Sequence, residues 1–585
     1  MSVVTATITS TGGEVKPTWE VLSIDITREV NRIPRAQLVL LDGDPSKQKF
    51  EISDSGVFDP GKEIEINLRY EGEEGEAGKD RTVFKGLVIR HRVEANQRGT
   101  QLTVDLKDVA FRMTRVRKSV VYKGESPEKG ITDSKIIEKI IGEYKEGGLA
   151  IKGDAETQPE HPEIVQYYCT DWDFMLSRAQ ASGQLVIVED GEISLRSIAV
   201  GDAAKHTFNV GIDEVYSFEM EADASHQYKE VQSVAWDMEK QKSTDVTEAM
   251  LDYSPPSPGD LYGYDIAPKV GAGTCKLASP VPLEQGELQA WANATLATSR
   301  MSLLRGRIEV PGSASIKLMA LMEIDGVGKH FNGETLITGI RHRIDHRGWQ
   351  TDVQFGLSPE WFSRHPDIMD VPAAGLLPGV NGLHIGVVDG FQEDPKKEFR
   401  VRVRLPAIAA TDDKADSVVW ARLASPDAGN GRGFFFRPEK GDEVVVGFFN
   451  DDPRHAVILG SLYSSEKNKP PEKLSPSDKD NISKGIVTKK GSMLRFIDKK
   501  EGNTGPGLVI QVPGSEDKPE KIQLGAFSNQ ASIQISDQYD NLIVMGVNGI
   551  TIKTKKVLLL KNEKGHVRIG TDGHVETKGT KVTQK

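Results

Sequence analysis

The chain has 585 residues and a formal net charge of −12 at pH 7, with 37% hydrophobic and 27% charged residues. This composition excludes a disordered chain, and the acidic balance argues against a general binder of nucleic acid or anionic membranes, while it leaves room for a local basic patch. No apolar run reaches the ~20 residues of a membrane-spanning helix. Residues 1–20 show no signal-peptide pattern, and Cys169 and Cys275 are too few for a disulfide framework, which predicts synthesis in a reducing cytoplasm.

Alternating apolar residues predict strands in the N-terminal region, where one hairpin is written twice. "IRHRV" at 89–93 and "IRHRI" at 340–344 are 251 residues apart, and each is followed by a similar strand, "RGTQLTVDL" from Arg98 and "RGWQTDVQF" from Arg347. A period of two places the isoleucines and histidines on one face and the arginines on the other. This favours a duplicated β-barrel over two unrelated amphipathic strands.

The register of this duplication has an alternative. Matching Gly86 with Gly339 shifts the alignment by two positions. This shift keeps each residue on the same face of its strand but matches different residue types. Two similar barrels in one chain would give six in a closed ring of three chains. The duplication therefore indicates an adaptor between a three-fold and a six-fold object.

The middle of the first half changes to a helical period. "DSKIIEKIIGEY" predicts a helix with Asp133 as its N-cap, and "TDWDFMLSRAQASG" predicts a second helix ended by Gly183. "QLVIVEDGEISLR" predicts a hairpin that turns at Asp190 and Gly191. These elements form a predicted α/β insert, and a further helix is expected over 283–304.

A strand-rich block follows a Pro/Gly-rich linker, and it carries a recognisable pattern. Its letters include "GLHIGVVDGFQEDPKKEFRVRVRLP" and, over 434–465, "FFFRPEKGDEVVVGFFNDDPRHAVILGSLYSS". This block resembles the OB-fold of VgrG-like spike proteins, which are relatives of contractile-phage hub and spike proteins in type VI secretion and extracellular contractile injection systems. The positions that match the pattern are Pro438, Gly441, Asp442, Glu443, Val444, Asp452, Pro453, Val457, Gly460, Leu462 and Tyr463.

The resemblance implies a homotrimer whose hub caps a hexameric inner tube within a baseplate. It further implies a PAAR-type tip protein, effector cargo in some systems, and a target membrane that the spike crosses on firing. The motifs "GDEVVVGF" and "DDP" are more similar to those of phage-like and extracellular systems than to the usual type VI motifs.

The residues of the OB block support the same fold independently. Val444, Val446 and Phe448 alternate and are expected to face a barrel interior. The aromatic side chains suit either a core or subunit-contact role or, less well, nucleic-acid stacking, for which the basic groove is thin. They belong to Phe434, Phe435, Phe436, Phe448 and Phe449.

The last hundred residues contain short alternating strands with Gly or Asn turns. Ile533 and Ile535, Ile550 and Ile552, and Val567 and Ile569 are such alternating pairs. One chain of this kind is too thin to bury its apolar face, so three chains wound together are predicted.

Histidines raise a metal hypothesis that strand parity opposes. If Val567, Ile569 and Val575 point inward, His566 and His574 point outward and are surface residues. His342 and His346 would need a helix to share a metal, and they lie in a predicted strand and turn. No metal, cofactor-binding or catalytic residue is therefore predicted.

No lysozyme domain fits between the OB block and the needle, no catalytic signature appears, and the needle is expected to end at Lys585, so a non-enzymatic protein is predicted. The fold class is mainly β: a duplicated β-barrel hub with a small α/β insert, an OB-fold collar and a trimeric β-helix or prism needle. The predicted function is the structural spike of a contractile injection machine, made in the cytoplasm and assembled into the particle; the alternatives are an OB-fold module binding nucleic acid or glycan, or a cell-wall-degrading spike. The predicted domains are 1–118 (barrel 1), 119–204 (insert), 205–370 (barrel 2), 371–380 (linker), 381–465 (OB-fold), 466–484 (linker) and 485–585 (needle).

Overall fold

The structure is a computed structural model that describes residues 3–581 and 583, except for 72–77, 97–98, 127–128, 154–155, 199–201, 252, 254, 407–417, 478, 499–503, 515–518 and 528–529. Strands dominate the described elements, which confirms the mainly β class. The chain divides into two compact units, Met1–Val371 and Pro372–Lys585. Short 3-10 helices lie at Ser53–Ser55, Val109–Thr114, Lys145–Gly147, Ala267–Val270, Phe362–Arg364, Pro372–Gly375, Phe449–Asp451 and Glu472–Leu474.

The first unit contains one twelve-stranded sheet made of two halves. The first half comprises β1 (Val4–Ser10), β2 (Val21–Glu29), β3 (Arg35–Leu41), β4 (Glu63–Tyr70), β5 (Arg81–Asn96) and β6 (Gly99–Lys107). The second comprises β14 (Asp202–Asn209), β15 (Ser217–Ala222), β20 (Leu304–Pro311), β21 (Ala320–Asp325), β22 (Gly333–Asp345) and β23 (Gly348–Phe355). The strand orders are β1-β4-β5-β6-β3-β2 and β14-β21-β22-β23-β20-β15. Each strand of one half thus has a counterpart at the same place in the strand order of the other, as a duplication requires. The first pair differs in direction, since β1 is antiparallel to β4 and β14 is parallel to β21.

Each half curls around a cluster formed mainly by its own residues. β1 and β2 lie at opposite ends of the first strand order, yet Ile8 and Ile24 belong to one buried cluster. In the second half, Phe208 of β14 and Met220 of β15 likewise pack into a common cluster. Both halves therefore have a barrel-like curvature, although the ladder joins them edge to edge through β2 and β22 instead of closing each one.

The repeated hairpins align by their turns and bulges at a spacing of 249 residues. Asn96 faces Gly99 at the first turn and Asp345 faces Gly348 at the second, and a bulge falls at Ile89 and at Thr338. The IRHR letters, 251 residues apart, are thus displaced by two positions from structurally equivalent sites. The alternative match of Gly86 with Gly339, 253 residues apart, is wrong because it shifts the alignment in the opposite direction. Because side chains alternate with a period of two, the displacement preserves which face is buried. Arg98, quoted in the sequence comparison, lies outside the described residues.

The α/β insert forms a separate core between the halves. It comprises β7 (Arg117–Lys123), β8 (Ile131–Thr132), α1 (Asp133–Gly142), β9 (Ala150–Ile151), β10 (Glu160–His161), β11 (Glu163–Thr170), α2 (Asp171–Ala181), β12 (Gln184–Glu189) and β13 (Glu192–Ser197). The prediction of Asp133 as N-cap was wrong, because Thr132 caps α1 and its Oγ1 accepts from the Lys135 N–H at 3.4 Å. Asp190 and Gly191 have φ of +52° and +92°, as the predicted hairpin turn requires.

A second insertion lies between β15 and β20. It holds β16 (Glu230–Asp237), β17 (Lys242–Ser243), β18 (Thr247–Glu248), α3 (Gly263–Ile266), β19 (Thr274–Ser279) and α4 (Gln285–Met301). The helix predicted over 283–304 corresponds to α4.

A buried charge cluster joins this second insertion to the α/β insert. His161 Nδ1 lies 3.1 Å from the Glu287 carboxylate of α4, and His161 Nε2 lies 3.5 Å from Asp133 Oδ2. Arg178 of α2 donates to both Asp133 oxygens at 2.7 and 3.0 Å. Hydrogen bonds to the two carboxylates raise the pKa of His161 to about 9, although burial and the Arg178 guanidinium oppose the proton. With His161 protonated, two cations and two anions balance in a buried site.

The second unit begins with a closed five-stranded barrel in the order β24-β25-β26-β30-β29. Its strands are β24 (His384–Gly390), β25 (Val401–Arg404), β26 (Val418–Leu423), β29 (Glu443–Phe448) and β30 (Ala456–Ser461), with a small hairpin of β27 (Ala428–Gly429) and β28 (Arg432–Gly433). Val444 and Val446 are fully buried inside and Phe448 packs against them, as the alternation predicts.

Two antiparallel meanders follow the barrel. The first contains β31 (Ser483–Val487), β32 (Met493–Ile497), β33 (Thr504–Val512), β34 (Glu520–Phe527), β35 (Gln530–Ser536), β36 (Leu542–Gly546) and β37 (Gly549–Lys553). The second contains β38 (Leu558–Lys561), β39 (His566–Ile569) and β40 (Val575–Lys578).

Candidate interaction surfaces

One face of the seven-stranded meander is apolar from edge to edge, and we call it the needle face. Residues directly opposite each other in an antiparallel ladder share a face. The registers of adjacent strands therefore define two continuous cross-strand rows on this face. The first row is Ile486, Leu494, Ile510, Ile522, Ile535, Ile543 and Ile552; the second is Phe496, Leu508, Leu524, Ile533, Met545 and Ile550.

The needle face is largely open to solvent in a single chain. Ile533 and Ile535 are each 40% exposed and Ile550 is 68% exposed, whereas core residues of the first unit such as Leu38 are fully buried. Large contiguous apolar patches of this kind mark interaction sites in soluble proteins. The needle face is thus the strongest interaction signal among the described residues.

The opposite face of the same meander has a different character. Gln523, Gln534 and Thr551 lie on it. Near the barrel, this face carries a small core of Met493, Ile497 and Val509, and Leu474 of the preceding segment packs against it. The described residues thus cover part of one face and leave the apolar face without a cover.

The three-stranded meander repeats this two-faced design. Leu560 pairs with Val567 and Ile569 pairs with Val575 on one face, while His566 lies on the other. His566 Nε2 is 3.5 Å from Glu576. The strand parity predicted for His566 is confirmed, and exposed His574 sits in the turn before β40.

Besides the outer strands β1 and β14, two further backbone edges of the twelve-stranded sheet lack a ladder partner among the described residues. β15 pairs only with β20, although its counterpart β2 pairs with both β3 and β22. Residues 90–95 of β5 pair only with β6, although the equivalent part of β22 pairs with β2. Unpaired edges are templates for strand addition. Sequence reasoning missed both edges, because periodicity reports faces and carries no information on strand neighbours.

The internal junction shows how such edges are joined. Ile26 lies opposite His342 and Thr27 lies opposite Arg341 in the β2–β22 ladder. The Arg341 Nε also donates to Asp25 at 3.0 Å across the junction. His342 is buried and accepts the Trp349 Nε1–H at 3.3 Å, and burial lowers its pKa to about 3. The junction therefore combines a ladder, a neutral buried face and an ion-paired open face.

Aromatic side chains project from the barrel. Phe434, Phe435 and Phe436 are 53%, 74% and 58% exposed, so they do not belong to the barrel core. Phe434 and Phe436 stack with ring centroids 6.4 Å apart. This exposure excludes the core role for these three rings, and it is compatible with both other roles considered from the sequence, a subunit contact and nucleic-acid stacking.

The described residues contain no cluster of three or more His, Cys, Asp or Glu side chains that could hold a metal ion. His342 lies in β22 and exposed His346 in the following turn. A groove of 960 Å³ in the first unit is lined by Trp172, Asp173 and Gln180 among others. Asp173 accepts from the Thr170 hydroxyl at 2.6 Å in the helix cap, which gives it a structural role.

None of the described helices combines the length and apolarity needed to cross a membrane. The repeated sheet, the OB-type barrel and the apolar meander together define a VgrG-like spike protein. The chain belongs to the family described as the Alg8 N-terminal domain, which matches residues 1–346. Residues 384–463 match the type VI secretion system/phage-baseplate injector OB domain.

Two curated relatives agree with this class. The type VI secretion system spike protein VgrG1a of Pseudomonas aeruginosa is 28% identical over 186 residues, which cover 29% of this chain and 28% of that protein. The actin cross-linking toxin VgrG1 of Vibrio cholerae is 32% identical over 97 residues, 16% of this chain and 9% of that protein. The alignments thus span less than a third of these relatives. The tail protein of Neisseria meningitidis aligns with a TM-score of 0.43 at 15% identity, over 62% of this chain and 98% of its own.

Proposed function

We propose that this protein is the central spike of a contractile injection machine, a homotrimer that joins a hexameric inner tube to a puncturing needle. The observation that carries the proposal is the needle face, which a single chain leaves exposed. Burial of apolar area contributes roughly 25 cal/mol per Å², so copies of the chain gain most by covering this face for one another.

The number three comes from the first unit. Two halves with one strand order in each chain give six similar halves in a ring of three. A six-fold inner tube then meets a pseudo-six-fold surface. The needle face requires only that other copies of the chain cover it. The hub then determines that the number of copies is three.

The internal junction also predicts how neighbouring chains pair. If β15 of one chain repeats the role of β2, it adds to residues 90–95 of the next chain. Transferring the β2–β22 register places Met220 opposite Val93 and Glu221 opposite Arg92. Met220 packs at the rim of its own core and Val93 is 40% exposed, so their contact continues an apolar face across the ring. The same register places Glu221 opposite Arg92 and Glu219 opposite Glu94, so one attractive and one repulsive charge pair offset each other and the apolar contact carries the register.

A cysteine pair tests this arrangement in the full-length chain. Met220→Cys with Val93→Cys places two sulfurs across the proposed ladder, within the reach of a disulfide. Oxidation of the double variant is expected to give covalent dimers and trimers and no larger species. Each single variant should give no such cross-linked species, which controls for native Cys169 and Cys275. A series that continues beyond three chains, or an absence of cross-linking in the double variant, contradicts the proposed ring.

The remaining partners follow from the class and stay within the proposal. The spike would contact baseplate proteins and a PAAR-type tip protein, leave the producing cell on firing, and in some systems carry effectors. We propose a structural role without a cofactor and without catalysis. Failure of the purified protein to clear peptidoglycan supports this role, and clearing would reassign the protein as a cell-wall-degrading spike.

A further inference from the structure

The charge of the second unit changes abruptly along the needle. Residues 485–552 contain seven Lys and Arg against seven Asp and Glu. Residues 553–585 contain nine Lys and Arg against three Asp and Glu, in a chain whose net charge is −12. A neutral shaft is therefore followed by a strongly basic segment.

The three-stranded meander displays part of this charge on one face, which we call the basic face. Lys561 lies opposite His566, and His566 lies opposite Lys578, so the three side chains form one cross-strand row. Lys561 and Lys578 are exposed, as is Lys564 in the turn between β38 and β39. None of these three lysines forms an ion pair with a carboxylate in the described part of the chain. Glu576 lies on the same face, 3.5 Å from His566 and 3.6 Å from Arg568, so the charge left for an external anion is that of the three lysines.

The basic face also carries an apolar side chain. Leu559 lies opposite Arg568 on this face and is 49% exposed, whereas Leu560 points to the other face with Val567. Covering the apolar face between chains leaves Leu559 exposed among the lysines. Lysines beside an exposed apolar side chain suit the boundary between lipid headgroups and acyl chains.

We propose that the basic face binds a bilayer that contains anionic phospholipids. The inference rests on the proposed function, because three copies bring three basic faces together on one rod. Residues 553–585 contain no Phe, Tyr or Trp on which bases could stack, and eight of their nine cations are lysine, a residue depleted at protein interfaces. These features favour a lipid surface over nucleic acid or an acidic protein.

Vesicle sedimentation of the full-length protein tests the proposal. The protein is mixed with phosphatidylcholine vesicles, or with vesicles that contain about 30 mol% phosphatidylglycerol, at about 0.1 M salt. Binding is expected only with phosphatidylglycerol and should weaken as salt is raised. Since each surface lysine adds substantially to such binding, Lys561→Gln/Lys564→Gln/Lys578→Gln should reduce the partition coefficient by about tenfold or more.

A shaft variant provides the matched control. Lys489→Gln/Lys490→Gln/Lys521→Gln removes the same formal charge from the neutral shaft, in one case from an ion pair of Lys489 with Glu439, and should leave partitioning unchanged. Equal binding to both vesicle types, or equal loss in both triple variants, overturns the proposal. The mass of each variant in solution is measured in parallel. A trimer that does not bind vesicles containing phosphatidylglycerol refutes the lipid site alone. A monomer that binds these vesicles refutes the trimeric spike alone.

Discussion

The twelve-stranded sheet and the seven-stranded meander solve the same burial problem in opposite ways. The sheet curls so that Ile24, Leu38 and their neighbours are closed off by residues of the same chain. The meander stays open, and Ile533 and Ile535 on its needle face remain 40% exposed. Both regions have amphipathic strands, so the alternation of residues does not distinguish them.

The two regions differ in whether residues of the same chain cover the apolar face of the sheet. The halves of the first unit bring back their terminal strands over a core, whereas the described meander has strands only beside one another. A region of the first kind has a stability of its own, and a region of the second kind has a stability that depends on chain concentration. Mutations should separate these two behaviours.

The largest effect is expected on the needle face. Ile533→Asp places a carboxylate where copies of the chain are proposed to meet, and a buried unpaired charge costs several kcal/mol for each chain. Sedimentation velocity should show monomers in place of trimers. Gln534→Asp, one residue away on the opposite face, should keep the trimer; loss of assembly in both variants would contradict the assignment of faces.

A core substitution in the first unit should lower the free energy of unfolding by an amount that does not depend on oligomerisation. Leu38→Ala leaves a cavity at a fully buried site and is expected to cost about 2–5 kcal/mol. Val39→Ala, on the other face of β3, should cost less. Chemical denaturation followed at two protein concentrations checks the result, because the Leu38→Ala cost should be the same at both.

The His161 cluster should give the first unit a smaller, pH-dependent stabilisation. The pKa of His161 is raised from 6.5 to about 9 by its carboxylate neighbours. The stabilisation is fully present below pH 6.5 and is lost as the pH rises through about 9, and is worth about 1–3 kcal/mol. Melting curves from pH 6 to pH 10 should therefore converge at high pH for wild type and His161→Gln. A constant gap between them would contradict the role of this proton.

The smallest effect is expected at an exposed ion pair. Lys16 and Glu51 lie 2.7 Å apart with side chains 54% and 68% exposed. Such pairs are screened by water and salt. Lys16→Gln should leave both the melting temperature and the sedimentation coefficient within experimental error, and a measurable change in either would show that exposed charge matters more here than the comparison allows.

The sequence predicted elements whose cause is local. Helical periodicity located α1 and α2, turn residues located the β12–β13 hairpin, and alternation identified Val444 and Val446 as barrel interior. The duplication could be predicted because both hairpins contain the IRHR residues, even though these residues are two positions away from structurally equivalent sites. The period of two hides such a displacement, and only the turns and bulges reveal it.

The parts that the sequence did not predict depend on distant contacts. The cluster of Asp133, His161, Arg178 and Glu287 unites residues up to 154 positions apart, and no spacing rule connects them. The open edges of β15 and β5 depend on which strands become neighbours. The domain boundaries proposed from composition remain predictions.

The mass of the full-length chain in solution tests the central claim most directly. Sedimentation equilibrium over a range of concentrations should give about three times 64.2 kDa, with Ile533→Asp near the single-chain mass. A wild-type chain that stays monomeric at every concentration, with its meander resistant to protease, would show that one chain covers its own needle face and would contradict the account.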